Sequence, residues 1–313
     1  MNLKYAIIGT GALGGYYGGK LCQHGHEVHF LYHSEYDYVK THGLQVDSVN
    51  GDFHLSNMNI YSSTSQMPPC DVVLVAMKST QNDQLRTMLP PLLHAGSVII
   101  LVQNGLGLEL ELEKAIPQNP IGGAMAFICA SRIAPGHICH ADYGALTVSY
   151  LHNHINPGIA NQIKQDFEES GVPFTQGDDL NLFRWRKLVW NIPYNGLTVV
   201  LHTTTDCLMK DPASRALVTD LMQEVVNGAK ACGADIGDEF VQRMLDNTDH
   251  MKPYAPSMRL DYDHHRPMEI KAIYSNPVAI AKAAGCHLHK VEMLEQQLLF
   301  IEENEIRHGQ ERE

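Results

Sequence analysis

Positive charge is scarce in this chain. Its 313 residues carry 23 lysines and arginines against 35 aspartates and glutamates, a formal net charge of −12. Nucleic acid and anionic membrane surfaces both need a positive field, so neither fits as a partner. A small anionic substrate remains admissible, because one local lysine or arginine suffices to hold it. Long apolar runs are also missing. No stretch approaches the roughly 18 apolar residues that a membrane span requires. The short apolar run at the start ends at once in glycines, without a small-residue cleavage site. It therefore reads as a first strand and not as a signal peptide.

The seven cysteines, at 22, 70, 129, 139, 207, 232 and 286, are odd in number and include no C-x-x-C. That spacing builds neither a zinc knuckle nor a disulfide framework, and reduced thiols in a cytoplasmic protein are expected. Histidine is plentiful, with close pairs at His264–His265 and His287/His289. No H-E-x-x-H or comparable ligand set accompanies them, so no metal is expected. Internal repeats are absent. Glu302, Glu303, Glu311 and Glu313 make an acidic end, where fraying costs little.

The first half alternates strands and helices. Lys4–Ile8 is a short apolar strand, followed by a glycine-rich turn and a helix ending near Gly25. His26–Tyr32 is the second strand. Ser34, with Asp37 three residues on, is positioned to cap the next helix, which Gly43 ends. Alternation in Leu44–Ser48 and Phe53–Tyr61 around Asn50-Gly51-Asp52 suggests a hairpin. The solid apolar runs Asp71–Ala76 and Ser97–Val102 fit parallel strands covered on both faces. Ile121–Phe127, Ile138–His140 and Ala145–Tyr150 read as further strands, Pro157–Ser170 as a helix and Val172–Thr175 as a strand.

Beyond residue 180 the pattern becomes helical. Asp211-Pro212 supplies an N-cap and a first-turn proline, and Gly233 closes the helix they begin. Segments near 183–201, 238–247, 257–264, 268–284 and 289–304 also read as helices. The expected class is α/β: an N-terminal Rossmann-like, doubly wound domain over 1–180 and a C-terminal all-helical domain over 181–313, the latter for substrate binding and catalysis.

Gly9-Thr10-Gly11-Ala12-Leu13-Gly14 is a G-x-G-x-x-G turn between a strand and a helix, the context that makes this short motif informative. Dinucleotide phosphates then sit on the positive end of the helix. After the second strand the chain runs Leu31-Tyr32-His33-Ser34, with no acid before Glu35. An acid there would bond the ribose 2′-hydroxyl and repel a 2′-phosphate, so its absence favours NADP, with polar and partly cationic help from His33 and Ser34. His33 reads equally well as a plain surface residue.

Lys78 and Asn104-Gly105 follow apolar strands, at the carboxyl ends where open α/β sheets bind ligands. A solvated loop lysine and an ordinary turn are the alternatives. In Arg184–Gly196, Lys187, Asn191 and Asn195 are spaced i, i+4, i+8 and share one helical face. Asparagine is a poor helix former. The neighbours Trp185, Leu188, Trp190 and Ile192 are apolar, which implies burial, and buried amides need partners that a substrate or cofactor supplies.

Taken together, Gly9-x-Gly11-x-x-Gly14, Lys78, Asn104-Gly105, Lys187-x-x-x-Asn191-x-x-x-Asn195, Pro256-Ser257-Met258 and Glu269 resemble the ketopantoate reductase (2-dehydropantoate 2-reductase) family over nearly the whole chain. The resemblance implies that Lys187 is the general acid. It implies that Asn104, Asn191, Asn195, Ser257 and Glu269 hold the substrate. Gly9, Thr10, Gly11, Ala12, Leu13 and Gly14, with His33, Lys78 and Asn104, would bind NADP. Ser257 alternatively caps a helix after Pro256, and Glu269 alternatively pairs with Lys187 or lies on the surface. Where relatives often carry an arginine for the 2′-phosphate, this chain has His33.

These roles are chemically consistent. Hydride arriving at a ketone carbon places negative charge on its oxygen, which a lysine ammonium stabilises before giving up a proton. The expected function is NADPH-dependent reduction of ketopantoate to pantoate, in pantothenate and coenzyme A biosynthesis. Reduction of another small 2-keto acid and a non-catalytic nucleotide-binding sensor are the competing readings, and a sensor needs no proton donor. Whether the chain forms a homodimer stays open.

Overall fold

The computed structural model describes residues 2–251, 253 and 255–310. Glu311 and Glu313 of the acidic end lie outside the described residues. The chain divides into two compact units. One comprises Met1–Gln103 and Leu108–Leu180, the other Asn104–Gly107 and Asn181–Glu313.

The first unit opens with β1 (Lys4–Ile8), α1 (Ala12–Gln23), β2 (Glu27–Leu31) and α2 (Tyr36–His42). It continues through β3 (Leu44–Ser48), β4 (Phe53–Leu55), β5 (Asn59–Tyr61), β6 (Val72–Val75), a short α3 (Leu85–Met88) and β7 (Val98–Leu101). Then come α4 (Leu108–Ala115), β8 (Ile121–Ala134), β9 (His137–Tyr150), α5 (Pro157–Glu169) and β10 (Phe174–Gln176). The described strands form one sheet in the order β4-β3-β9-β8-β7-β6-β1-β2-β5, with β10 on β9. From β5 through β2, β1, β6 and β7 to the start of β8 the pairing is parallel. β6 and β7 are buried along their whole length, as their unbroken apolar runs require.

The structure corrects several sequence expectations. Ser34 does not cap α2. Glu35 occupies the cap position without a side-chain bond to the helix, while Gly43, at φ 74°, does end it. The segment Phe53–Tyr61 is not one hairpin arm. β4 pairs antiparallel with β3, but β5 lies parallel to β2 on the opposite edge. Alternating side chains fit either edge equally, so the pattern alone cannot choose the partner.

The three short strands expected between 121 and 150 are two long antiparallel strands, β8 and β9. Register shifts at Phe127/Ile128, Cys129/Ala130 and Arg132/Ala134 break the two-residue period that would have revealed them.

The second unit is helical. It contains α6 (Leu180–Val200), α7 (Thr205–Lys210), α8 (Pro212–Ala231), α9 (Phe240–His250), α10 (Ser257–Asp263), α11 (Asn276–Ala283) and α12 (His289–Gln310). Asp211 caps α8 by accepting the Ser214 N–H at 2.8 Å, ahead of Pro212. The short α7 was not expected, and the single helix expected over 268–284 opens instead with a π-helical turn, Lys271–Ser275. Trp185, Leu188, Val189 and Ile192 of α6 share a buried core with Leu221, Met222 and Val225 of α8. Because α6 runs on through Pro193, the ladder lacks one backbone donor. Nearby, the buried Tyr274 hydroxyl donates to the Ile192 carbonyl at 2.8 Å. Burial pushes this phenol well above its ordinary range, so it stays a donor.

Candidate active site

In the first unit the glycine turn is shaped by close backbone approach. Gly9 has φ 93°, and a Cβ there would lie 2.3 Å from the Met77 nitrogen, so only glycine fits. A Cβ on Gly14 would meet the Gly9 carbonyl oxygen at 2.1 Å, which is the tight contact between α1 and β1. Gly11 differs. Its φ is −73° and no heavy atom lies within 4 Å of a Cβ built on it. The chain has no internal reason for glycine at that position, whereas a group lying against the turn would supply one.

Ala12 and Leu13 open α1, whose first turn carries no acid and no side-chain cap. Its free N–H groups and positive dipole end fit a pyrophosphate. The Thr10 hydroxyl donates to the Leu31 carbonyl at 3.0 Å and fastens the turn to the end of β2.

Beyond β2, Tyr32 is buried while His33 and Ser34 are exposed. The first acid, Glu35, is already engaged: Arg132 donates to Oε1 and the Gly136 N–H donates to Oε2 at 2.9 Å. Lys78 is half-buried, three residues past β6 and adjacent to the Met77 that packs on Gly9. Sequence reasoning missed the amide pair behind it. Buried Gln103 donates to the Met77 carbonyl at 2.7 Å and to Asn82 Oδ1 at 2.6 Å, locking the strand ends that follow β6 and β7. Both residues look like surface amides until the fold places them.

In the second unit, Asn104-Gly105 is not an ordinary turn. The Leu106 N–H donates to the Ala272 carbonyl at 2.9 Å, and Asn276 Nδ2 donates to the Leu106 carbonyl at 2.7 Å. A Cβ on Gly105 would lie 2.5 Å from that of Ala272. Ala272 sits in the π turn, three residues after Glu269. Glu269 is only 4% exposed, so it is no surface carboxylate.

On α6, Lys187 is half-buried, and Asn191 and Asn195 are buried. Asn195 Oδ1 accepts the Met258 N–H at 3.0 Å and thereby holds the first turn of α10. The Arg259 guanidinium adds a second tie, donating to the Thr198 carbonyl at 2.7 Å. Ser257 is the first residue of α10 and its side chain caps nothing, which removes the capping alternative. Asn191 Nδ2 is buried and has no hydrogen-bond partner among the described residues. Such a donor costs about 1–3 kcal/mol, an expense that an incoming acceptor would relieve.

A parallel sheet with a phosphate-fitting glycine turn, joined in one chain to helices that bury a Lys-Asn-Asn face, belongs to the class of two-unit dinucleotide-binding oxidoreductases. Known proteins narrow this class. The family model described as Ketopantoate reductase PanE/ApbA matches residues 5–153, and that of its C-terminal part matches 179–302. The chain belongs to the ketopantoate reductase family.

A 2-dehydropantoate 2-reductase from Nostoc sp. is 48% identical over 303 residues, covering 96% of this chain and 95% of that protein. The crystal structure of 2-dehydropantoate 2-reductase from Geobacter metallireducens superimposes with a TM-score of 0.91 at 38% identity, over 95% of this chain and 99% of that one. The enzyme of the same name from Methylococcus capsulatus gives 0.89 at 27% identity, over 97% and 98%.

The glycines separate fold from function. Gly11→Asp should keep a wild-type melting curve yet lose at least about tenfold in affinity for the reduced nicotinamide dinucleotide by fluorescence titration. Gly9→Ala should instead lower stability by about 1–3 kcal/mol, because backbone must shift. Normal dinucleotide binding by folded Gly11→Asp protein removes the phosphate-turn assignment. For Asn191, replacement by leucine is expected to leave the urea midpoint unchanged or raised while substrate affinity falls. A clear drop in stability would mean that the amide serves the fold.

Proposed function

We propose that the chain reduces 2-dehydropantoate to pantoate with NADPH, a step of pantothenate and coenzyme A biosynthesis. The observation that carries this reading is the buried α6 face, where the unsatisfied Asn191 amide stands one turn from Lys187. A bound reduced nicotinamide supplies the hydride. Lys187 stabilises the charge that develops on the ketone oxygen and delivers a proton to it. Asn191 donates to a substrate oxygen, while Asn195 holds α10 so that the Ser257 hydroxyl is available to the substrate carboxylate. Glu269 accepts from the substrate hydroxyl, and Asn104 serves both ligands.

Gly9 to Gly14, Lys78 and the loop at His33 serve the cofactor. NADPH is preferred over NADH because the first acid after β2, Glu35, is already paired with Arg132 and the Gly136 N–H. The seven cysteines are unpaired, which supports a reducing compartment such as the cytoplasm.

We also assign a homodimer to the face bearing Met293 and Phe300, which are 49% and 66% exposed. Together with Val200, Gln296 and Ile301, Met293 and Phe300 line an apolar groove. A second copy would cover this patch. Light scattering should give twice 34.9 kDa at micromolar concentration, and a monomer mass overturns the assignment.

Purified protein given NADPH and a panel of 2-keto acids should oxidise NADPH fastest with 2-dehydropantoate. Faster turnover of another member would reassign the substrate. In the same assay Lys187→Ala should lower kcat by about 10²–10⁴-fold, or roughly 3–5 kcal/mol of barrier. Glu269→Ala should act largely through KM, since it binds ground and transition states alike. Near-normal kcat in Lys187→Ala, with chemistry rate-limiting, would move the acid elsewhere.

A further inference from the structure

The β2–α2 loop holds an ion pair whose cation, Arg132, has no role above. Glu35 is four residues past the end of β2, and its side chain is only 11% exposed. Both of its carboxylate oxygens are taken, one by Arg132 near the end of β8 and one by the Gly136 backbone N–H. A carboxylate so engaged is turned toward the hairpin, and its charge is paired with the guanidinium.

The guanidinium is placed differently. Arg132 is 43% exposed and bonds Glu35 through Nη1, so donors of its five N–H groups still face solvent. The hairpin tip that carries it is fixed. The Gln45 N–H donates to the Gly136 carbonyl at 2.8 Å, and the Gly136 backbone lies against Gly43, Val39 and Tyr38. The loop is fixed too, since Thr10 ties the end of β2 to the phosphate-fitting turn.

We propose that Arg132, held by Glu35, binds the 2′-phosphate of NADPH, so that the charge selecting the cofactor comes from the β8–β9 hairpin and not from the residues that directly follow β2. This rests on the NADPH reading given above. A dianionic phosphate in a loop whose own residues are His33 and Ser34 needs a permanent cation, and a guanidinium presents forked donors matched to phosphate oxygens. Glu35 is a positioning residue in this arrangement. It orients one edge of the guanidinium and cancels its own charge in doing so.

The test is equilibrium titration of the full chain with NADPH and NADH, which share every contact except those of the 2′-phosphate. Arg132→Ala should weaken NADPH at least about tenfold, as loss of a charge-assisted hydrogen bond does. Its NADH affinity should stay within about twofold. Arg132→Lys should recover part of the difference, and Glu35→Gln should leave NADH affinity unchanged. Equal weakening of both cofactors by Arg132→Ala would make the residue structural and overturn the assignment. So would selective loss of NADH by Glu35→Gln, which would return that acid to the ribose. A wild-type preference for NADPH that survives Arg132→Ala removes this proposal alone. Wild-type protein that binds NADH at least as tightly removes the NADPH reading itself.

Discussion

The contact between the Gly9 and Met77 backbones organises the cofactor end of the first unit. It is possible only without a side chain at position 9. By bringing the residues after β1 against those after β6, it fixes where the first turn of α1 lies. Gln103 then bonds the Met77 carbonyl and draws in the end of β7. Steric exclusion and two amide bonds therefore set a surface that electrostatics alone would leave loose. Lys78 is placed by this lattice, being the next residue along from Met77.

The second unit solves a different problem, that of keeping polar groups inside a helical core. Asn195 is satisfied by the Met258 N–H, the Thr198 carbonyl by Arg259 and the Leu106 carbonyl by Asn276. Each bond joins segments far apart in sequence. Three buried donors of α6 have no hydrogen-bond partner among the described residues, Trp185 Nε1, Arg186 Nε and Asn191 Nδ2, and of these the Asn191 amide is the one a full turn beyond Lys187 on its face. An unpaired amide donor on the face of Lys187 is where an incoming acceptor would gain most.

Much of this was legible in the sequence, and the failures have physical causes. The buried strands β6 and β7, the glycine turn and the Asp211-Pro212 helix start are local signals, and each lies where its residues indicated. Burial of Asn191 and Asn195 followed from their apolar neighbours, whereas the burial of Glu269 did not show in the sequence, which left a surface position open. The pairing of β5 with β2 and the length of β8 and β9 depend on partners distant in sequence and on bulges, which local pattern does not encode. Gln103, Asn276 and Arg132 gave no sign of their bonds, since a polar residue in a loop looks the same whether it faces water or a buried carbonyl. Glu35 was visible as the first acid after β2, but its engagement was not.

The assignment of Asn104–Gly107 to the helical unit means that this unit is not a continuous stretch of chain. Leu106 belongs to its core, and the Ala272 carbonyl and Asn276 amide spend hydrogen bonds on the Leu106 backbone. A fragment begun at Asn181 would carry all of α7 to α12 yet miss one core side chain and leave that carbonyl and that amide without these partners. The helical half is therefore not a cassette that could be cut out or exchanged at a single joint. Any recombination of the two halves would have to carry four residues from the middle of the other half along with it.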